Sequence, residues 1–282
     1  MESTAKQSID LLGAVSVLAG IFVLVYGISM PDINGSWSAS KIVLLIVGVL
    51  ILGVFILVEK FAKNPLMPLR LFKFRSLVTS NVIGFLMYSY TTGFIYFSTL
   101  YFHELGYSSL ATGLAFMPLG LASIVATQIT PFVMQKFGAK KVLIVTQIIN
   151  ALGLFWLSNM DMDKSYASFI LPAFIILGLS IGSSYTAVIV GSVQDVRPEE
   201  HGIAGGIVNT FLQLGGSLGL SILATVATSV TASFHNEQVN TAVISGFHTA
   251  LIVSGCFAIV ALILALMSGG KKKNSSASVE AI

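Results

Sequence analysis

Long apolar runs separated by short polar connections repeat along the whole chain. Eight runs stand out, at 9–28, 42–58, 77–101, 110–134, 142–160, 166–190, 203–230 and 247–268. Each approaches or exceeds the roughly 20 residues a helix needs to cross the hydrocarbon core of a bilayer. The connections, such as PDINGSWSAS, HELGYSS, SNMDMDKS and QDVRPEEH, are rich in turn-forming and polar residues and leave no room for a second soluble domain. The pattern predicts an all-α integral membrane protein with about eight transmembrane helices. Two helices lie in 1–60, a basic connection covers 61–76, six helices fill 77–268, and a polar tail, 269–282, is expected to be disordered. The first run carries Asp10 near its start, ends without an A-x-A site and is followed at once by a second run, so it reads as a permanent helix and not a cleaved leader.

Composition supports the membrane reading. Of 282 residues, 55% are hydrophobic and 10% charged, with a mean hydropathy of +0.90, where soluble domains carry about 25% charged residues. The stretch KFAKNPLMPLRLFKFRS gathers Lys60, Lys63, Arg70, Lys73 and Arg75 around Phe61, Phe72 and Phe74. Such a cluster can mark a nucleic-acid patch, but a net charge of +3 on so apolar a chain argues against nucleic acid as a partner. Numbering the two sides of the membrane alternately places thirteen of the fifteen Lys and Arg residues on one side and only Lys41 and Lys164 on the other. Basic residues accumulate in cytoplasmic connections. Both termini are therefore expected in the cytoplasm, in a multi-pass cell-membrane protein. The basic stretch becomes a cytoplasmic loop with its Phe and Leu residues in the membrane interface, where it can also touch anionic lipid.

The runs hold little reactive chemistry. Asp10 is the one charged residue inside them, and embedded ionisable groups usually mark ion paths. Hence the chain carries no evident proton carrier, voltage sensor or metal site. His103, His201, His235 and His248 fall in loops or at span ends and read as solvated interface residues, and Cys256 reads as a small packed side chain. No paired carboxylates, His box or Ser/His/Asp set points to an enzyme, and no cofactor is called for.

The polar content of the spans is uncharged. Asn81, Tyr88, Thr92 and Tyr96 share one helical face with Phe85 beside them, and Asn209 and Gln213 share another at i, i+4. Gln128 lies in the fourth run, and Ser180, Ser183, Ser184, Tyr185 and Thr186 cluster in the sixth. Two readings stay open: interhelical hydrogen bonds, worth about 0.6 kcal/mol each, or the wall of a cavity for an amphipathic ligand. Three G-x-x-x-G pairs, Gly178/Gly182, Gly202/Gly206 and Gly215/Gly219, allow close helix packing or sliding of helices past one another.

Several segments carry a family resemblance. PFVMQKFGAKKVLIV resembles the cytoplasmic loop signature of the major facilitator superfamily, roughly G-x-L-x-D-R-x-G-x-[RK]-[RK]. Lys136, Gly138, Lys140 and Lys141 match it, while Gln135 stands at the acidic position, so an acid-dependent latch is not expected at this loop. NPLMPLRLFKFRS and VRPEEHGIAGGIVNTFLQLGGSLGLSILATV are similar to elements of the fourteen-helix drug:proton antiporters of the EmrB/QacA type, as are DLLG near the start and YGIS before the second run. The resemblance implies that the first two runs are the extra central helices of that family and the other six its C-terminal half. It implies that Asn81, Phe85, Tyr88, Thr92, Tyr96, Gln128, Tyr185, Asn209 and Gln213 contact a lipophilic, often cationic drug. It also implies that Lys136, Gly138, Lys140 and Lys141 form a loop involved in conformational switching. Proton coupling would then reside in an N-terminal half, in cis or in trans, that this sequence does not contain. The alternatives are a non-transporting truncated or scaffold membrane protein, or a half-transporter for another small solute.

Overall fold

A computed structural model describes residues 11–30, 38–61, 68–161, 165–233 and 239–268. The described residues form eight α-helices: α1 (Leu11–Ser29), α2 (Ala39–Phe61), α3 (Arg75–Glu104), α4 (Ser109–Phe137), α5 (Ala139–Leu157), α6 (Leu171–Val193), α7 (His201–Ser233) and α8 (Val239–Met267). Six are long and apolar enough to cross a membrane. Of α1 only the shorter segment Leu12–Ile28 is apolar enough. The 30-residue α3 is long but interrupted by polar residues. The all-α membrane architecture read from the apolar runs is the observed one. Asp10, Lys6, Lys63, Lys164, His235 and the tail 269–282 lie outside the described residues.

Local chemistry sets the helix ends. The Ser108 hydroxyl accepts a hydrogen bond from the Ala111 N–H at 3.3 Å and caps α4. Gly138, at φ 84°, turns the chain directly from α4 into α5, a backbone conformation that L side chains rarely adopt. Pro172 opens α6 after a single π turn at Tyr166–Ile170.

Helices α3 to α8 make one bundle. The α3 helix sits among α6, α7 and α8, while α4 and α5 both pack on α6 and barely on each other. The α1–α2 hairpin touches this bundle lightly, through α7, and its large side chains, Leu12, Leu18, Phe22 and Leu50 among them, point outward. In the bundle core, the Phe94, Phe102, Phe116 and Phe174 rings meet at centroid distances of 5.1 to 6.1 Å.

Two of the three glycine pairs are true packing sites. A Cβ on Gly178 or Gly182 would lie 2.4 Å from the carbonyl oxygen of Leu119 or Ser123, so α6 and α4 cross backbone to backbone. Gly215 and Gly219 do the same against Phe85 and Ser89 of α3. Gly202 and Gly206 have nothing within 4 Å and line an open face of α7.

Three expectations change. Leu71 of the basic connection, expected in the membrane interface, is completely buried in the core, within a 3-10 turn, Leu69–Lys73. Cys256 is exposed on the outer surface of α8. His248 is not a solvated interface residue: it is half-buried on α8, and its Nε2 lies against the Met160 carbonyl and ties α8 to the end of α5.

Candidate functional site

The polar face of α3 leans on α7. Ser89 donates toward the carbonyls of Phe85 and Gly215, at 2.8 and 2.9 Å. One turn on, Gly216 leaves room for two of the candidate side chains: a Cβ there would lie 3.1 Å from Thr92 Oγ1 and 3.2 Å from Tyr88 Cδ1. Gln213, three residues before Gly216, and Asn209 are both exposed on α7. Gly84 of α3 meets Val188 of α6 and Leu212 of α7, so the segments carrying Tyr185 and Gln213 converge on α3 within about a turn.

Exposure along the α3 face rises steadily. Asn81 is 1% exposed, Phe85, Tyr88 and Thr92 are half-buried, and Tyr96 is 42% exposed. Tyr185 on α6 and Gln128 on α4 are also exposed. Asn81 thus lies inside the bundle, with neither amide atom hydrogen-bonded. Among the described residues, none of the nine candidate side chains hydrogen-bonds to another. All but Asn81 border an open surface, and they do not form an internal network.

The polar network sequence reasoning missed lies elsewhere. Tyr90 of α3 donates to Gln147 Oε1 of α5 at 3.0 Å. Asn150 Nδ2 donates to Tyr90 Oη at 2.8 Å and to Ser184 Oγ of α6 at 3.2 Å. All four residues are buried. Gln147 and Asn150, three residues apart on an apolar helix, were the available signal. The sixth-run polar cluster divides accordingly, with Ser180 and Ser184 buried and Tyr185 facing out.

The helix ends at Arg75, Phe137, Ala139, Val193, His201 and Met267 surround a cavity of about 1120 Å³, lined by Gln135, Lys140, Gln194, His201 and Ser268 among others. Lys140 donates to the carbonyls of Leu266, at 2.9 Å, and Ser268, so it caps the end of α8. Lys136 stands over the Phe137 ring at 5.4 Å. Arg70, just before α3, pairs with Glu200, just before α7. Glu200 follows Arg70 by 130 residues, the same offset that separates Phe85 from Gly215 and Ser89 from Gly219. The ion pair therefore continues the register of the α3–α7 contact.

Known proteins resemble this sequence. The chain is 34% identical over 230 residues to the cephamycin export protein CmcT of Amycolatopsis lactamdurans. It is 31% identical over 235 residues to the puromycin resistance protein pur8 of Streptomyces alboniger, and 27% identical over 238 residues to multidrug resistance protein 3 of Bacillus subtilis. These alignments cover 80%, 80% and 82% of the chain but 47%, 46% and 46% of the relatives, so the chain spans about half the length of the curated relatives it matches. They are export and resistance proteins, in keeping with a transporter and not an enzyme. The sequence model of the Major Facilitator Superfamily covers residues 8–220, from the first helix into the seventh. With a bundle of apolar helices and drug-export relatives over four-fifths of its length, the chain belongs to the major facilitator superfamily.

Proposed function

We propose that this chain forms one side of the drug path of a multidrug exporter in the cell membrane and works against a second six-helix half, in cis or in trans. The observation that carries the reading is the exposed polar surface at mid-helix. Asn209 and Gln213 on α7 and Gln128 on α4 lie within membrane-length helices, yet face outward. Neutral polar groups facing hydrocarbon are costly and usually turn toward protein or a water-filled cavity. A second half would cover them and enclose a midplane site, as paired repeats do in secondary transporters.

In this reading, Tyr88, Thr92, Tyr96 and Tyr185 offer ring faces and hydroxyls to a lipophilic cation, and Gln128, Asn209 and Gln213 offer amide dipoles. Phe85 lies half-buried in the same wall, and Asn81 stands buried behind it. Protons drive export as an antiport, and carboxylates of the other half carry them. Lys136, Gly138, Lys140 and Lys141 lie at the cytoplasmic end, as do both termini. The relatives' names point to antibiotics as the substrate class.

The test is Tyr88→Ala in the polypeptide as its host makes it. Resistance is measured across a panel of antibiotics and lipophilic cations. A changed order of preference, with protein levels held, is the expected result. Unchanged resistance to every exported compound would remove α3 from the drug path.

A further inference from the structure

An apolar groove on the other side of α4 is independent of the candidate drug path. It has a volume of about 670 Å³ and lies where α4 and α5 diverge above α6. Its walls are Ile129, Val133, Val145, Ile149, Ile176 and Leu179. Ile129 and Val145 are 52% and 53% exposed, so the groove opens outward along its length. The hydroxyls in its floor are already engaged. Thr130 donates to the Ala126 carbonyl at 2.7 Å, Thr146 to Leu143 at 3.0 Å and Ser180 to Thr146 at 2.8 Å. Such a floor offers a polar solute little and suits a hydrocarbon chain.

Length and charge narrow the occupant. On α4 the lining runs from Ala126 to Phe137 and on α5 from Lys141 to Ile149, roughly 16 and 12 Å at 1.5 Å per residue. That is about half of the ~30 Å hydrocarbon thickness, the depth of one leaflet. At the outer end, where the phosphate of a lipid in that leaflet would sit, Lys141 lines the groove. Lys136 stands over Phe137 at the same mouth. Both lysines are exposed, and neither has a carboxylate partner among the described residues. Lys140, between them in sequence, is spent on the end of α8.

We propose that this groove is a binding site for a phospholipid with an anionic headgroup, one acyl chain lying between α4 and α5 and the phosphate on Lys141 and Lys136. The inference needs only that the chain spans a membrane, and stands or falls apart from drug export.

The test uses the full chain reconstituted in phosphatidylcholine vesicles, with phosphatidylglycerol or phosphatidylcholine spin-labelled near the chain end as probe. Electron paramagnetic resonance reads the motionally restricted, protein-bound fraction. Phosphatidylglycerol should be preferred by about fivefold per lysine. Lys141→Gln should remove about that factor, and Lys136→Gln with Lys141→Gln should bring the preference close to one. Val145→Trp, which fills the groove, should release the restricted chain, while Ile259→Trp, on an exposed apolar position of α8 away from the groove, should leave the lipid preference unchanged. Equal binding of the two lipids by the unaltered chain overturns the proposal, as does a preference that survives both lysine substitutions. Disulfide capture of a second copy through Val145→Cys, with no restricted lipid, would overturn it in favour of a protein contact. Because Lys141 makes no hydrogen bond among the described residues, its replacement decides the matter even if Val145→Trp does not fold.

Discussion

Replacing Gly215 by alanine tests whether α3 and α7 touch as closely as their backbones imply. The new Cβ would lie 2.1 Å from the Phe85 carbonyl oxygen and 2.7 Å from its carbonyl carbon and Cα. Even a tight Cβ contact needs 3.0 Å, so the helices must part by about 0.9 Å, the difference between those two distances. The carbonyl cannot swing aside, because it is part of the α3 backbone and accepts the Ser89 hydroxyl at 2.8 Å. A backbone clash of this kind belongs at the upper end of overpacking costs, ~3 kcal/mol. Alanine returns ~1 kcal/mol in helix propensity over glycine. The expected net loss is ~2 kcal/mol, or roughly 30-fold in the folded-to-unfolded ratio. Gly206→Ala is the matched control on the same helix. Nothing lies within 4 Å of its Cβ, so only the propensity gain remains. Both variants can be titrated from mild detergent into dodecyl sulfate and followed by far-ultraviolet circular dichroism. Gly215→Ala should unfold at a lower dodecyl sulfate fraction than the unaltered chain, and Gly206→Ala at an equal or higher one. Equal midpoints for the two variants would refute the close crossing.

Exchanging the ends of the ion pair, Arg70→Glu with Glu200→Arg, should recover part of the stability lost in either single variant. Since Arg70 is mostly exposed, a double-mutant cycle should give a coupling of no more than ~1 kcal/mol that shrinks with added salt. Asn150→Leu removes the donor shared by Tyr90 and Ser184 and should cost ~1–3 kcal/mol in the same unfolding assay. Leaving stability unchanged would mean that the buried network carries no net weight. Gly138→Asp forces a side chain onto φ 84°, a strain of ~1–3 kcal/mol. It should slow conformational exchange, measured by single-molecule fluorescence, and leave equilibrium drug binding intact; lost binding would count against a purely conformational role.

The spans were readable because lipid imposes one strong rule, the apolar run, and every described helix overlaps a run. Helix ends were less so. The α8 helix starts at Val239, within a polar stretch that no hydropathy argument extends. Part of the basic segment before α3 escaped for a related reason. Charge density suggests solvent, yet Leu71 is in the core and Arg70 finds a partner 130 residues away, a long-range pairing that local pattern does not encode. Identical motifs also met different fates. Gly202/Gly206 and Gly215/Gly219 stand on one helix, but only the second pair meets another backbone. Of the candidate side chains, the spacing rule put Tyr88 and Thr92 on one face, and both lie against Gly216. It could not see that the same face sinks into the bundle at Asn81. The Tyr90–Gln147–Asn150–Ser184 network escaped because each helix contributes only one or two of its members.

The constant offset of 130 residues along α3 and α7, from Arg70–Glu200 through Ser89–Gly219, makes the two helices a single stiff plank. Any rocking motion in the proposed exporter would carry them together, because sliding by one residue would drive a Cβ or a carbonyl into both Gly215 and Gly219. In the proposed exporter, Tyr88, Thr92 and Gln213 would then keep their mutual distances as the two halves move. On the proposed drug path, a bound drug would meet this wall as a fixed template, and its hold would loosen through what moves opposite.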